Sequence, residues 1–329
     1  MALPLADYKA RDLVGYGDQP PKVKWPGGAR LAVSVVVNYE AGGEPCVVFG
    51  DPRCETAGIG SVRGEPGLRD LILESFFEYG SRVGVWRYLD IFENHNIKAS
   101  FLVVGHALEV NPEVAKAIGK AGHEPMDHGY RWGYAGSLTG RPREEERAMI
   151  RKNIDTIRRL VGERPVGQFI GGATLQTREL LLEEGYLYDS NYTGGDLPIF
   201  VDVKGKKALL VPYSRVLNDG RFWRENGFIL GEQYLRYGKE MFDRLYEESA
   251  LTPKMMTVAL HDRLCGQPGA CRSGRGIDRL HQRPPWRVVR AQRRDRESLD
   301  RTIRRRLSAL CAALAARRIL HLLAGWRSR

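Results

Sequence analysis

Polar residues suited to acid–base chemistry follow three apolar runs of the chain. Glu40 comes directly after the run 31–38, His261 comes directly after the run 255–260, and Asp127 and His128 follow a short segment that begins near residue 122. Carboxylates and imidazoles are the side chains that most often accept or donate protons in enzymes. Active sites of α/β barrels are built at the carboxyl ends of their strands, so this placement predicts one acid–base site assembled from several strand ends.

The elements that must position these residues alternate along the chain. Apolar, β-branched runs predict buried strands at 31–38, 99–104, 207–212 and 255–260. Helical spacing of apolar residues predicts helices at 84–94, 112–121, 143–160, 176–184 and 231–248. This alternation predicts an α/β fold with a parallel sheet, either closed as a (β/α) barrel or wound open. We therefore divide the chain into an irregular arm at 1–30, a barrel at 31–270 and an atypical tail at 271–329.

Charge and composition exclude several classes of function. The net charge of +11 suggests nucleic acid as a partner, but residues 271–329 alone contain 17 Arg, no Lys and four acidic residues. The first 270 residues are close to neutral, so we expect no nucleic-acid partner. No signal-like or membrane-length apolar run occurs, which predicts a cytoplasmic protein without membrane contact. The five cysteines form no CxxC pair, which favours reduced thiols over a disulfide framework or a zinc knuckle.

Short motifs across the first 270 residues carry a family resemblance. They include NYE followed by GGE, EYGSR followed by GVWR, then HGYRW, VPY and LHDRL. With these motifs the chain resembles the polysaccharide deacetylase (NodB-homology) superfamily, and within it the metal-independent allantoinase branch. The resemblance implies a distorted barrel of seven or eight (β/α) units. It also implies that Glu40 is the general base and that His261 is the general acid.

The same resemblance bears on metal binding. Two of the three positions that hold the family's metal are occupied here by Ala41 and Trp132, and only His128 remains. Neither alanine nor tryptophan can donate to a divalent ion, and one imidazole does not make a metal site. We therefore expect neither a metal ion nor another cofactor at this site.

The function implied is hydrolysis of a non-peptide C–N bond, most simply the ring opening of a cyclic ureide such as allantoin. Glu40 would take a proton from water, His261 would protonate the departing nitrogen, and either His128 or backbone N–H groups after Asn38 would hold the oxyanion. The expected partners are a small-molecule substrate and further copies of this chain in a homo-oligomer. We expect six further residues to bind substrate: Tyr39, Glu44, Asp127, Trp132, Gly171 and Gly172.

Alternatives remain at this point. Gly172 stands where the allantoinase branch usually has an arginine, which leaves the substrate open, and an N-deacetylase acting on an acetylated sugar uses the same chemistry. A non-catalytic or defective family member is the third interpretation. Structural roles are also open: Glu40 could cap a loop, His128 could bond to the backbone, and Trp132 could serve only in packing.

The tail at 271–329 departs from the family pattern near Ala270. Its Arg-rich, Lys-free composition is typical of a GC-rich gene read out of frame. With allowed codons chosen for residues 277–290, a one-base shift yields STDYINGRPGVWFAR, which is similar to the missing family segment. The competing interpretation is a genuine basic tail with a helix at 303–323.

Overall fold

A computed structural model describes residues 7–20, 23–57, 62, 64–223 and 227–268. The predictions for the Arg-rich tail lie outside these residues, as does the start of the arm. Within them, eight strands form one sheet in the order β6-β7-β5-β4-β3-β2-β1-β8. The strands are β1 Leu31–Tyr39, β2 Ser100–Val103, β3 Glu124–Asp127, β4 Gly167–Gln168, β5 Tyr188–Asp189, β6 Ile199–Val203, β7 Lys206–Leu210 and β8 Lys254–His261.

Neighbouring strands run parallel, except that β6 and β7 form an antiparallel pair at one edge. In the described part of the chain seven α-helices accompany the sheet, and a π-helical turn at Gly80–Gly84 joins the first two. The helices are α1 Leu71–Tyr79, α2 Val85–Asn94, α3 Gly105–Val110, α4 Pro112–Lys120, α5 Arg143–Val161, α6 Leu175–Glu183 and α7 Gly231–Glu248. The result is a curled half-barrel, and the prediction of an α/β fold of the distorted (β/α) barrel type is confirmed.

The long central strand β1 organises the core. It pairs with β2 on one side and with β8 along its whole length on the other, with Leu31 opposite Lys254 and Asn38 opposite His261. Its β-branched residues suit a strand with neighbours on both faces. Val37 in β1 and Phe101 in β2 are fully buried in the largest apolar cluster. Burial of such a side chain stabilises the fold by about 1.5–3 kcal/mol.

The described part of the N-terminal arm packs on the sheet. Tyr8 is buried against β6 and β7, and its backbone N–H donates to the carbonyl of Asp202 at 3.0 Å. Further on, the indole Nε1–H of Trp25 donates to the carbonyl of Lys254, where β8 begins, at 2.9 Å. The arm thus contacts the sheet at both of its edges. No helix within the described ranges is both long enough and apolar enough to cross a bilayer.

Candidate active site

Three chemically reactive side chains meet at the carboxyl ends of strands in the same sheet. Glu40 follows β1, His128 follows β3, and His261 is the last residue of β8. The parallel register places Asn38 opposite His261 and aligns Tyr39 with the end of β2, which in turn aligns with the end of β3. Parallel strands present their carboxyl ends at one edge, so the topology brings the three side chains together.

Glu40 lies at the centre of the cluster and is 1% exposed. Its Oε1 atom is 3.0 Å from His128 Nε2 and 3.5 Å from His261 Nε2, while its Oε2 atom accepts a hydrogen bond from Arg263 Nη1 at 2.5 Å. Burial alone would raise the pKa of this carboxyl, but Arg263 and then His261 outweigh burial and hold the pKa well below its usual range. Glu40 is therefore a carboxylate at neutral pH.

His261 is held by a second carboxylate. Its Nδ1–H donates to Asp219 Oδ1 at 2.6 Å, and its backbone N–H donates to Asp219 Oδ2 at 2.7 Å. The same Oδ2 atom accepts the backbone N–H of Cys265 at 3.1 Å, which ties the turn after β8 to Asp219. Burial lowers the pKa of His261, but the charges of Glu40 and Asp219 outweigh it and raise the pKa to about 9. The imidazole is therefore protonated at neutral pH.

His128 has a fixed ring orientation. Its Nδ1 atom lies 2.5 Å from the carbonyl oxygen of Phe169. A carbonyl only accepts hydrogen bonds, so Nδ1 carries a hydrogen and Nε2 is directed at Glu40. The ring also stacks on Phe169 at 5.9 Å between centroids.

Arg263 reaches Glu40 because the turn after β8 is packed tightly under the α1–α2 junction. A Cβ atom at Gly84 would lie 1.9 Å from the carbonyl oxygen of Asp262, so only glycine allows this approach. The guanidinium then lies over the rings of Phe77 and Trp132, at 4.3 and 5.3 Å from their centroids. The two aromatic faces stabilise a buried cation and direct it toward Glu40.

These groups open into a cleft of about 930 Å³. Aromatic side chains form much of its wall, and Phe169 stacks on Tyr213 at 4.0 Å between centroids. The Tyr213 hydroxyl accepts hydrogen bonds from the amides of Asn38 and Asn218, each at 3.1 Å. The predicted residues Glu40, His128, Trp132, Gly171, Gly172 and His261 all line this cleft.

Three residues predicted to bind substrate do not line the cleft. Tyr39 lies in the main apolar core, and its hydroxyl is 2.9 Å from Ser81 Oγ. The Glu44 carboxylate turns back to accept the backbone N–H of Gly42 at 2.6 Å. Asp127 is fully buried and accepts hydrogen bonds from the backbone N–H of Gly129 and the side-chain amide of Asn153. The cause is strand alternation and loop geometry, because neighbouring positions at a strand end face opposite sides of the sheet.

Sequence reasoning assigned no role to Arg263 or Asp219. Arg263 belongs to the LHDRL motif, and its place two residues after His261 was a usable signal, because alternate residues share a face. Asp219 lies in a short 3-10 turn outside any periodic segment. Only the packing of that turn against β8 shows that Asp219 accompanies His261.

The chain has clear relatives among known proteins. Residues 71–178 match the model of the polysaccharide deacetylase family. A relative from Schizosaccharomyces pombe (strain 972), whose name marks its polysaccharide deacetylase assignment as provisional, is 36% identical over 298 residues, 83% of this chain and 90% of its own. This chain belongs to the polysaccharide deacetylase family.

Two solved structures extend this family assignment. A probable polysaccharide deacetylase from Pseudomonas aeruginosa PAO1 is 40% identical, with a TM-score of 0.78, over 84% of this chain and 93% of that one. PuuE allantoinase is 38% identical, with a TM-score of 0.80, over 87% of this chain and 95% of that one. Both kinds of enzyme hydrolyse carbon–nitrogen bonds outside peptides, and this family member is a hydrolase of that class.

The residues at the site do not fit the metal centre that the family resemblance implies. Ala41 is 2% exposed and packs against the apolar residues of α1, and Trp132 faces Arg263. The carboxylate that remains, Glu40, already has the Arg263 cation on one oxygen. A guanidinium in that place opposes a second, divalent cation on the same carboxylate. The mechanism below therefore uses the side chains of this chain alone.

Proposed function

We propose that this family member opens the ring of a cyclic ureide such as allantoin by adding water across a C–N bond. The observation that carries the proposal is the pairing in one cleft of an ionised carboxylate, Glu40, with a protonated imidazole, His261. Hydrolysis of an amide requires a deprotonated base and a protonated acid at the same pH.

The reaction balances with these two groups. Glu40 takes a proton from water while the water oxygen forms a bond to the ring carbonyl carbon. The C–N bond then breaks as His261 gives its Nε2 proton to the departing nitrogen. Glu40 Oε1 and His261 Nε2 are 3.5 Å apart. A proton that returns from Glu40 to His261 restores both groups for the next turnover.

Negative charge on the carbonyl oxygen must be stabilised during this reaction. The loop after β1 uses the N–H groups of Gly42 and Gly43 to bond the Glu44 carboxylate and the Glu40 carbonyl. Those two amides are therefore engaged within the loop. We assign the charge stabilisation to the Arg263 guanidinium, which lines the cleft and has further N–H groups besides the Nη1 donor to Glu40, because preorganised donors in a buried site are effective at this task.

The cleft also suits a small, flat, polar ring. Trp132, Phe169 and Tyr213 border the cleft with aromatic rings, whereas Gly171 and Gly172 contribute no side chain to the wall. Arg215 is exposed at the same cleft, where a guanidinium can pair with a ureide carbonyl oxygen. The similarity to PuuE allantoinase supports this substrate class.

An N-deacetylase acting on an acetylated sugar is the second candidate. It is favoured by the deacetylase relatives, including a Helicobacter pylori peptidoglycan deacetylase that is 30% identical over 180 residues. Removal of an acetyl group uses the same attack on an amide carbon. The ureide is preferred because the residues around Glu40 do not fit the metal ion implied for the deacetylases.

The test compares both substrates on the full-length chain. We expect purified protein to open allantoin, as measured by formation of the linear ureide acid, in the presence and absence of a chelator. N-acetylated oligosaccharides should release no acetate. Acetate release that requires added metal, with no allantoin turnover, would replace this proposal with the deacetylase one.

A further inference from the structure

A second cluster of reactive side chains lies outside the cleft lining. Two cysteines from the loop between β1 and α1, Cys46 and Cys54, face one carboxylate from α1, Glu74. The two cysteines are 3% and 2% exposed. Cys46 Sγ lies 3.4 Å from Glu74 Oε1, and Cys54 Sγ lies 3.9 Å from the same oxygen. We call Cys46, Cys54 and Glu74 the thiol cluster.

The two sulfur–oxygen separations in the thiol cluster match those of a tetrahedral metal site. With Zn–S bonds of about 2.3 Å and Zn–O bonds of about 2.0–2.2 Å, a tetrahedral ion separates sulfur from oxygen by about 3.6 Å. The two observed separations bracket that value. All three donor atoms lie within 4.8 Å of one another, and within the described ranges this is the one group of three His, Cys, Asp or Glu donors with that property.

Charge balance favours a divalent ion here. The Arg69 guanidinium donates to both oxygens of Glu74, from Nη2 to Oε2 at 2.5 Å and from Nε to Oε1 at 3.1 Å, and Oε1 also faces the two sulfurs. Glu40 stands alone beside its guanidinium, whereas Glu74 shares its site with two sulfurs that become anionic when they bind a metal. Two thiolates, one carboxylate and Arg69 carry a net charge of −2, which a divalent cation neutralises. The alternative state, a disulfide between Cys46 and Cys54, would remove the two S–H groups that donate to Glu74 Oε1. Soft thiolate ligands select zinc over magnesium or calcium.

We propose that the thiol cluster is a structural site for a zinc ion. Binding forms two Zn–S bonds and releases the two thiol protons to solvent, Glu74 Oε1 supplies the third ligand, and a water molecule takes the fourth position. The ion fastens the loop after β1 to α1. That loop contributes Ala57 and α1 contributes Phe76 to the cleft wall, so the ion supports the cleft without touching the reacting atoms.

The test measures metal content separately from activity. Full-length protein, purified with a reducing agent and without chelator, is expected to hold about one zinc per chain by mass spectrometry of the acid digest. Cobalt substitution should add a thiolate-to-cobalt charge-transfer absorption. The Cys46→Ser and Cys54→Ser variants should bind zinc at least about 100-fold more weakly. Cys265→Ser, a matched change at another buried cysteine, should retain the zinc.

The Glu40→Gln variant locates the ion. It should retain the full zinc content, because the thiol cluster is independent of the cleft. Reduced wild-type protein that binds no zinc at micromolar concentration would overturn the proposal. A disulfide between Cys46 and Cys54 in the non-reduced peptide map would overturn it too, as would zinc that persists in both serine variants but is lost from Glu40→Gln.

Discussion

Two buried carboxylates stand at the ends of β1 and β3, on either side of β2, and only one of them faces the cleft. Glu40 follows β1, and its oxygens meet two imidazoles and a guanidinium, from His128, His261 and Arg263. Asp127 ends β3, and its hydrogen-bond donors are neutral groups. Glu40 has partners that exchange protons or carry charge, whereas Asp127 has partners that only anchor it.

The Asp127 cluster is built for rigidity. Its Oδ1 atom accepts the Gly129 backbone N–H at 2.7 Å and the Asn153 amide at 2.6 Å. Its Oδ2 atom accepts the Tyr186 hydroxyl and, more distantly, the Gln168 amide at 3.5 Å. A strand-end acid is therefore a weak functional signal on its own, since its partners decide between chemistry and structure.

The largest expected effect is on turnover in the Glu40→Gln variant. The amide can still accept from Arg263 but cannot take a proton from water, so kcat should fall by ~10² or more. His261→Ala should lower kcat similarly through loss of the acid. Steady-state kinetics with allantoin, alongside circular dichroism as a control for folding, measures both. Wild-type rates in both variants would show that the assignment of base and acid is wrong.

The matched change at the other carboxylate, Asp127→Asn, should act on stability. An amide NH2 would face groups that are themselves donors, which leaves buried donors unsatisfied and costs about 1–3 kcal/mol of the free energy of unfolding. The kcat of the folded variant should stay within a few-fold of wild type. Urea unfolding and kinetics together check this prediction. A large loss of kcat without loss of stability would place Asp127 in the chemistry.

A smaller effect is expected from Asp219→Asn. The Asp219 charge helps to raise the pKa of His261 to about 9. Its removal should move the alkaline limb of the kcat profile to lower pH by about one unit or more. An asparagine oxygen still accepts the Nδ1–H and keeps the ring in place. Its NH2 group then faces the backbone N–H groups of His261 and Cys265, so the variant should also lose about 1–3 kcal/mol of stability. An unshifted limb would mean that Asp219 only positions the ring.

The smallest effect is expected at Glu44. Burial raises its pKa to about 7, so the folded state binds a proton that the unfolded state has released between pH 4.5 and 7. Its contribution to stability therefore declines as pH rises through that window. Glu44→Gln should remove this decline with little change in kcat. Urea unfolding midpoints of wild type and variant at pH 5 and pH 8 measure this decline. If the variant shows the same difference between the two midpoints as wild type, Glu44 is not its source.

Long, periodic elements were predictable from the sequence, whereas short or polar elements were not. Long apolar strands such as β1 and β8 and amphipathic helices such as α5 were found within two residues of their bounds. The two-residue strand β4 and the polar strand β3, with the letters EPMD, carry no readable period. Strand ends indicated Glu40 and His261, but the partners that set their charges come from a loop and a turn. Such contacts depend on tertiary packing.

The pH dependence of kcat in the wild-type protein tests the roles of Glu40 as base and His261 as acid. Catalysis in these roles requires Glu40 as a carboxylate, with its pKa well below the usual range, and His261 as an imidazolium, with its pKa raised to about 9. Ring opening should therefore proceed at a constant kcat from about pH 6 to pH 8 and decline above about pH 9, after correction for spontaneous hydrolysis. A kcat that rises through pH 6–7 and stays high above pH 9 would show that the imidazole acts as a neutral base, which contradicts the assigned roles.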